Sequence, residues 1–149
     1  MRTYLYRMKK IPYQRCPYCH PLPGDEVIGF TENDKSVTIH KRDCPTAIRL
    51  ASQKGDSIVS IEFKEDNDIL YPVRIHIKAI DRYHLLSDLI DCITNKLKLS
   101  IESLHTTTTD EIVDCFINFS VHSFNELQII ISHINRIKGV DEVQREELK

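Results

Sequence analysis

The 149 residues of this chain include no tryptophan, only two methionines and only four glycines. They hold no apolar run near the ~20 residues that a bilayer-spanning helix requires. The longest candidate, residues 127–134, is interrupted by Gln128, Ser132 and His133, which excludes a membrane span. The basic stretch from Met1 to Lys10 has no apolar run behind it and lacks the form of a secretory signal, so the expected address is the cytoplasm. A large net charge is also missing. Twenty Lys and Arg against 22 Asp and Glu leave −2, which excludes a surface built throughout for nucleic acid and leaves room only for a local patch. With 41% hydrophobic and 28% charged residues, the composition is that of a chain that folds.

Glycine and proline become scarce after residue 64. Three of the four glycines, five of the six prolines and three of the five cysteines precede that point, as in a small, turn-rich unit. The polar run 64–70 separates that unit from the rest of the chain. The expected organisation is a basic N-terminal segment 1–15, a small unit 16–64, a linker 65–70 and a second unit 71–149. In the second unit Val73, Ile75, Ile77 and Ala79 alternate with polar residues, the period of a strand with one buried face. Leu86, Leu89, Ile90, Ile93 and Leu97 form a helical stripe. Leu99 and Ile101 open a second strand running to about Thr107, and Cys115, Ile117, Phe119 and Val121 share one face of a third. Ser123 and Glu126 have capping-box spacing before Leu127, Ile130, Ile131, Ile134 and Ile137. Gly139 closes that helix, Val140 and Val143 fit a last strand, and the charged residues from Glu142 onward read as a solvated tail. The order βαββαβ predicts a ferredoxin-like sandwich, with a four-stranded antiparallel sheet and two helices on one face.

The first unit reads as ββαβ, making the chain α+β. Residues 26–30 and 36–40 form strands about a polar turn at 31–35. A helix opens at Pro45, anchored by Ala47, Ile48 and Leu50 and stopped by Gly55, and 57–63 alternates as a strand. So thin a core needs reinforcement. Cys16, Cys19, His40 and Cys44 have the spacing Cys-x2-Cys, twenty residues, His-x3-Cys. Three thiolates and an imidazole complete a tetrahedral shell for structural zinc, which contributes on the order of 10 kcal/mol to folding. Cys44 before Pro45 falls at a helix N-terminus, where the dipole favours its thiolate. His20, beside Cys19, is a competing ligand, and four reduced thiol and imidazole side chains without metal are the plain alternative. Cys16-Pro17-Tyr18-Cys19 alone is also a dithiol redox motif, but Pro21, Pro23 and Gly24 break the helix such a dithiol requires.

The run Cys19-His20-Pro21-Leu22-Pro23-Gly24-Asp25, followed by Ile28-Gly29-Phe30 and by His40-Lys41-Arg42-Asp43-Cys44-Pro45, resembles the C-terminal regulatory region of RelA/SpoT homologues, the stringent-response enzymes that make and hydrolyse (p)ppGpp. The resemblance runs from about Cys16 to the C-terminus. It implies a zinc-finger-like domain, also described as the ribosome-intersubunit domain, followed by an ACT domain. Tyr18 stands where the family usually has the first of two adjacent cysteines, and Cys16 is positioned to replace that thiolate. Asp81-Arg82-Tyr83-His84 is similar to the ACT loop in which a glycine admits an effector, often an amino acid. His84 occupies that place here, so a capping role for Asp81 and Arg82 is the expectation and effector binding the alternative.

Arg15, Lys41 and Arg42 are candidates for contact with RNA phosphate, Lys41 and Arg42 because bound metal would fix their backbone. The basic residues from Arg2 to Arg15, with Tyr4, Tyr6 and Tyr13, could add phosphate and stacking contacts. His76, His105, His122 and His133 read as surface histidines, and Cys92 and Cys115 as core. The chain has neither a His-Asp pair of the hydrolase kind nor a glycine-rich phosphate loop, so no catalytic residue is assigned. The resemblance implies a non-catalytic regulatory module of the stringent response. Its partners would be the ribosome and its RNA or the catalytic domains of a RelA/SpoT enzyme, with a homodimer through the ACT domain by analogy. An amino-acid sensor is the second reading and a dithiol oxidoreductase the third.

Overall fold

In a computed structural model that describes residues 3–5, 13–32 and 36–147, the chain divides into two units, Met1–Asn67 and Asp68–Lys149. Each has its own sheet.

The first is built on a hairpin of β3 (Val27–Thr31) and β4 (Val37–Lys41), helix α1 (Pro45–Gln53), a single 3₁₀ turn at Gly55–Ser57, and β5 (Ile58–Glu62) antiparallel to β3. Two further strands, β1 (Thr3–Leu5) and β2 (Tyr13–Arg15), pair parallel with β5 and β4, giving the order β1-β5-β3-β4-β2. Three residues are too few to display a period, so neither strand shows in the sequence. The side chains of Arg2, Tyr4, Tyr6, Arg7, Lys9 and Lys10, and the turn residues 33–35, lie outside the described residues.

Helix α1 turns a different face inward from the one expected. Ala47 is buried and Leu50 and Ala51 pack beside it, but Ile48 is 57% exposed. The face is set by Cys44 at the N-cap, and one residue beyond Ala47 lies about 100° around the helix.

The second unit follows the order β6 (Tyr71–Ile80), α2 (Leu85–Asp91) running on into a π turn at Cys92–Lys96, β7 (Ser103–Thr109), β8 (Ile112–Val121), α3 (Phe124–Asn135) and β9 (Val140–Glu146). The sheet order is β7-β8-β6-β9, antiparallel throughout. Val73, Ile75, Ile77 and Ala79 of β6 and Cys115, Ile117, Phe119 and Val121 of β8 face the core together with Leu127, Ile130 and Ile134 of α3. Ser123 caps α3 by accepting from the Glu126 N–H at 3.2 Å. Glu126 Oε2 reaches back to the N–H and ring of His122 instead of to the cap residue.

Three expectations are corrected. Helix α2 buries Leu85 and Leu89, and its π turn buries Cys92 and Ile93, leaving Leu86 and Ile90 exposed. Its entry residue His84 is left-handed, at φ 64°, which sets the rotation of the first turn. The strand expected from Leu99 begins at Ser103, because the Leu99 N–H is spent on the Ile93 carbonyl and Lys98 turns left-handed. The supposed tail from Glu142 pairs with β6 as far as Glu146, against Arg74.

The turn between β7 and β8 tightens to Asp110 and Glu111, both with positive φ, as a two-residue hairpin requires. Gly139 has φ 99°, and a Cβ there would stand 3.2 Å from the Ile80 carbonyl oxygen, so the entry to β9 depends on glycine. No helix among the described residues is long and apolar enough to cross a membrane.

Candidate metal centre

The four side chains singled out by spacing come from three places. Cys16 and Cys19 sit in the turn after β2, His40 is on β4, and Cys44 caps α1. The Cys16 N–H donates to the Ile39 carbonyl, which ties the turn to the strand beside His40. The Lys41 N–H donates to Cys19 Sγ at 3.3 Å, and the Tyr18 N–H to Cys16 Sγ at 3.4 Å. Phe30 meets the His40 ring edge to face at 5.5 Å between centroids.

One donor atom from each of Cys16, Cys19, His40 and Cys44 lies within 4.8 Å of the others. Sulfur ligands at about 2.3 Å from a tetrahedral ion stand ~3.8 Å apart, so the cluster needs to contract by no more than roughly 1 Å. The four residues therefore lie close enough to bind a metal ion.

The electrostatics favour the metal-binding forms of Cys44 and His40 and oppose that of Cys19. Burial pushes the Cys19 thiol up to about 12, against the Lys41 N–H, and the neighbouring thiols add to the rise. For Cys44 burial acts upward too, but the N–H groups of Ala47 and Thr46 at the open end of α1 and the other two thiols outweigh it, leaving the thiol below its ordinary value. No formal capping hydrogen bond closes there. Burial lowers the pKa of His40, opposed by Glu32, and so holds the imidazole in the neutral form a metal requires. His40 Nδ1 is buried without a hydrogen-bond partner, at a cost of ~1–3 kcal/mol unless something else satisfies the ring. His20 is not part of the cluster. Its backbone is left-handed, at φ 47°, and its N–H donates to the Cys16 carbonyl.

The dithiol reading loses its physical basis. Residues 17–19 form a turn, and no helix follows to supply the N-terminus that such a dithiol requires. Cys92 and Cys115 are buried, and burial raises both, Cys115 to about 11.

The other candidates are scattered. Arg15 donates to the Pro21 carbonyl at 3.2 Å and Arg42 to the Val27 carbonyl at 3.3 Å, so both guanidinium groups brace the backbone around the cluster. Lys41 contributes its N–H to Cys19.

In the second unit Arg82 donates to the Lys138 carbonyl (2.6 Å), the Tyr83 carbonyl (2.8 Å) and Asp88 Oδ2 (2.8 Å), fastening the loop before α2 to the loop before β9. The Asp81 N–H donates to the Glu111 carbonyl, while Tyr83 and His84 are exposed and touch each other. On the sheet face away from the helices, His76 stacks on Phe116 at 4.3 Å and pairs with Asp114 at 2.7 Å and Glu146 at 3.4 Å. Sequence reasoning placed His76 on the outer face but missed these partners, which depend on strand register.

Comparison with known proteins assigns both units. Residues 64–145 match the ACT domain family and residues 5–64 the RelA/SpoT RIS domain. The chain is 26% identical over 127 residues to the "Bifunctional (p)ppGpp synthase/hydrolase RelA" of Mycobacterium tuberculosis, covering 85% of this chain and 17% of that protein. It is 24% identical over 132 residues to the "GTP pyrophosphokinase" of Escherichia coli K12, covering 88% and 18%. The chain thus spans less than a fifth of the length of these relatives, and the match falls on their C-terminal regulatory region. Among solved structures, the crystal structure of the ACT domain from GTP pyrophosphokinase of Chlorobium tepidum is 18% identical, with a TM-score of 0.49, over 52% of this chain and all of that one. By the matches to both of its units, the chain belongs to the RelA/SpoT family, as a C-terminal regulatory pair of a RIS domain followed by an ACT domain.

Proposed function

We propose that this chain is a non-catalytic regulatory module of the stringent response, in which a zinc-held RIS unit docks on ribosomal RNA or on the catalytic domains of a RelA/SpoT enzyme. The ACT unit passes the docked state on and so biases (p)ppGpp synthesis against hydrolysis. The observation that carries the reading is the cluster of three sulfurs and one imidazole within 4.8 Å, inside the stretch that matches the RIS domain. That donor set suits zinc, which has no redox chemistry of its own and holds its ligands tetrahedrally. Bound there by Cys16, Cys19, His40 and Cys44, it would turn a thin-cored unit into a rigid surface, with Lys41 and Arg42 held between two ligands. The loop 81–84 acts as a brace for α2 in this reading, since the hydrogen bonds of Arg82 are internal, and amino-acid sensing is secondary.

The test is co-sedimentation of the full chain with ribosomes, with metal content measured on the same samples. Equimolar zinc and retention by ribosomes, both lost in Cys44→Ser, are expected. Retention that does not change when the metal is lost would separate docking from the centre. A chain left in the supernatant with its zinc in place would turn attention to the catalytic domains as partner.

A further inference from the structure

A cavity of about 460 Å³ opens in the ACT unit between α2 with its π turn and the end of α3. Arg82, Lys96, Arg136 and Lys138 line it against Asp88 and Asp91. Four of the nine lysines and arginines of residues 70–149 thus meet at one cleft, in a stretch that carries 12 acidic residues. Arg82 is taken by Asp88, and Asp91 accepts from the Asn95 amide at 2.6 Å. Lys96, Arg136 and Lys138 have no acidic partner among the described residues, and all three are exposed.

Attraction to helix C-terminal dipoles accounts for a cation at the end of the π turn and one at the end of α3. It does not account for Lys138, beyond the helix; Arg82, ahead of α2, is held by its internal bonds to Asp88 and to the Lys138 and Tyr83 carbonyls. Like charges gathered in a concave surface repel one another unless an anion joins them. A lone carboxylate brings one charge, whereas a diphosphate group brings two or more and accepts from ammonium and guanidinium donors together. The volume lies within the ~300–1,000 Å³ of small-molecule sites, and Cys92 and Ile137 give it some apolar lining.

We infer that this cleft binds a small diphosphate-bearing molecule, free pyrophosphate or a nucleoside diphosphate, through Lys96, Arg136 and Lys138. The site does not involve the metal centre.

The test is titration of the isotope-labelled full chain with sodium pyrophosphate and, separately, with GDP at constant ionic strength, following backbone amide resonances. Saturable shifts at residues 96, 136 and 138 are expected, with affinity about tenfold weaker or worse in Lys96→Ala/Lys138→Ala. Arg136→Gln, a milder change, should weaken binding less and serves should the double variant fail to keep the wild-type circular dichroism. Tighter binding of GDP than of pyrophosphate would assign the nucleoside-linked source, and the reverse the free anion. Absence of saturable shifts, shifts reproduced by chloride alone, undiminished binding in folded variants, or response only to an RNA hairpin would each overturn the proposal.

Discussion

The two units solve the same problem by different means. In the ACT unit the interior is a continuous set of branched aliphatic and aromatic side chains, from Val73 and Ile75 on β6 through Ile117 and Phe119 on β8 to Leu127 and Ile134 on α3. In the RIS unit, besides the buried Leu22, Val37, Ile39, Val59 and Phe63, one buried cluster is Cys16, Phe30, Cys44 and Ala47, with Cys19 packed against it and His40 beside it. Two of those four buried residues are candidate ligands, and the atoms that should supply packing are the ones that would bind an ion. Burial of apolar area scales with the side chains available, so the ACT unit holds itself by packing, and the RIS unit would gain more from an ion bound at its four donors.

Chelation should expose that difference most strongly. Removing the metal from the full chain is expected to cost the RIS unit on the order of 10 kcal/mol. Amide exchange protection would vanish over β2 to β5 and persist over β6 to β9. Loss in both units, or in neither, would break the contrast. Acidification should act in the same direction, because protons compete for three sulfurs and an imidazole; the RIS unit should therefore unfold at a higher pH than the ACT unit.

Next in size is Phe119→Ala, which should cost about 3–5 kcal/mol in the ACT unit by leaving a cavity while metal content stays the same; denaturant melts with metal analysis would check both. Gly139→Ala is expected to cost about 1 kcal/mol or more, since φ 99° disfavours a side chain and the Ile80 carbonyl blocks it; a shifted melting midpoint without loss of metal would show it. The smallest effect belongs to Ser123→Ala, ~1 kcal/mol for the lost cap of α3, read as a lower midpoint in the same melts.

Much of the molecule is legible in the sequence where chemistry repeats along the chain. The alternation of β6 and β8, the stripe of α3 and the Cys-x2-Cys and His-x3-Cys spacings carry their meaning within a few residues. Other features have no such local signature. β1 and β2 are three residues each and exist because β5 and β4 offer free edges. Leu86 and Ile90 resemble core residues until the rotation of α2, set by the left-handed His84 and the π turn after Asp91, brings Leu85 and Cys92 inward instead.

Residue types and their spacing were enough to determine that this chain would make a ferredoxin-like unit and a smaller one able to gather four metal donors, because periodicity and ligand preference are local properties. Only the folded arrangement decided that Arg15 and Arg42 brace the backbone, that His76 lies between Asp114 and Glu146, and that Lys96, Arg136 and Lys138 share a cleft. Those relations join residues far apart in the chain, and distance in space is set by strand register and helix rotation.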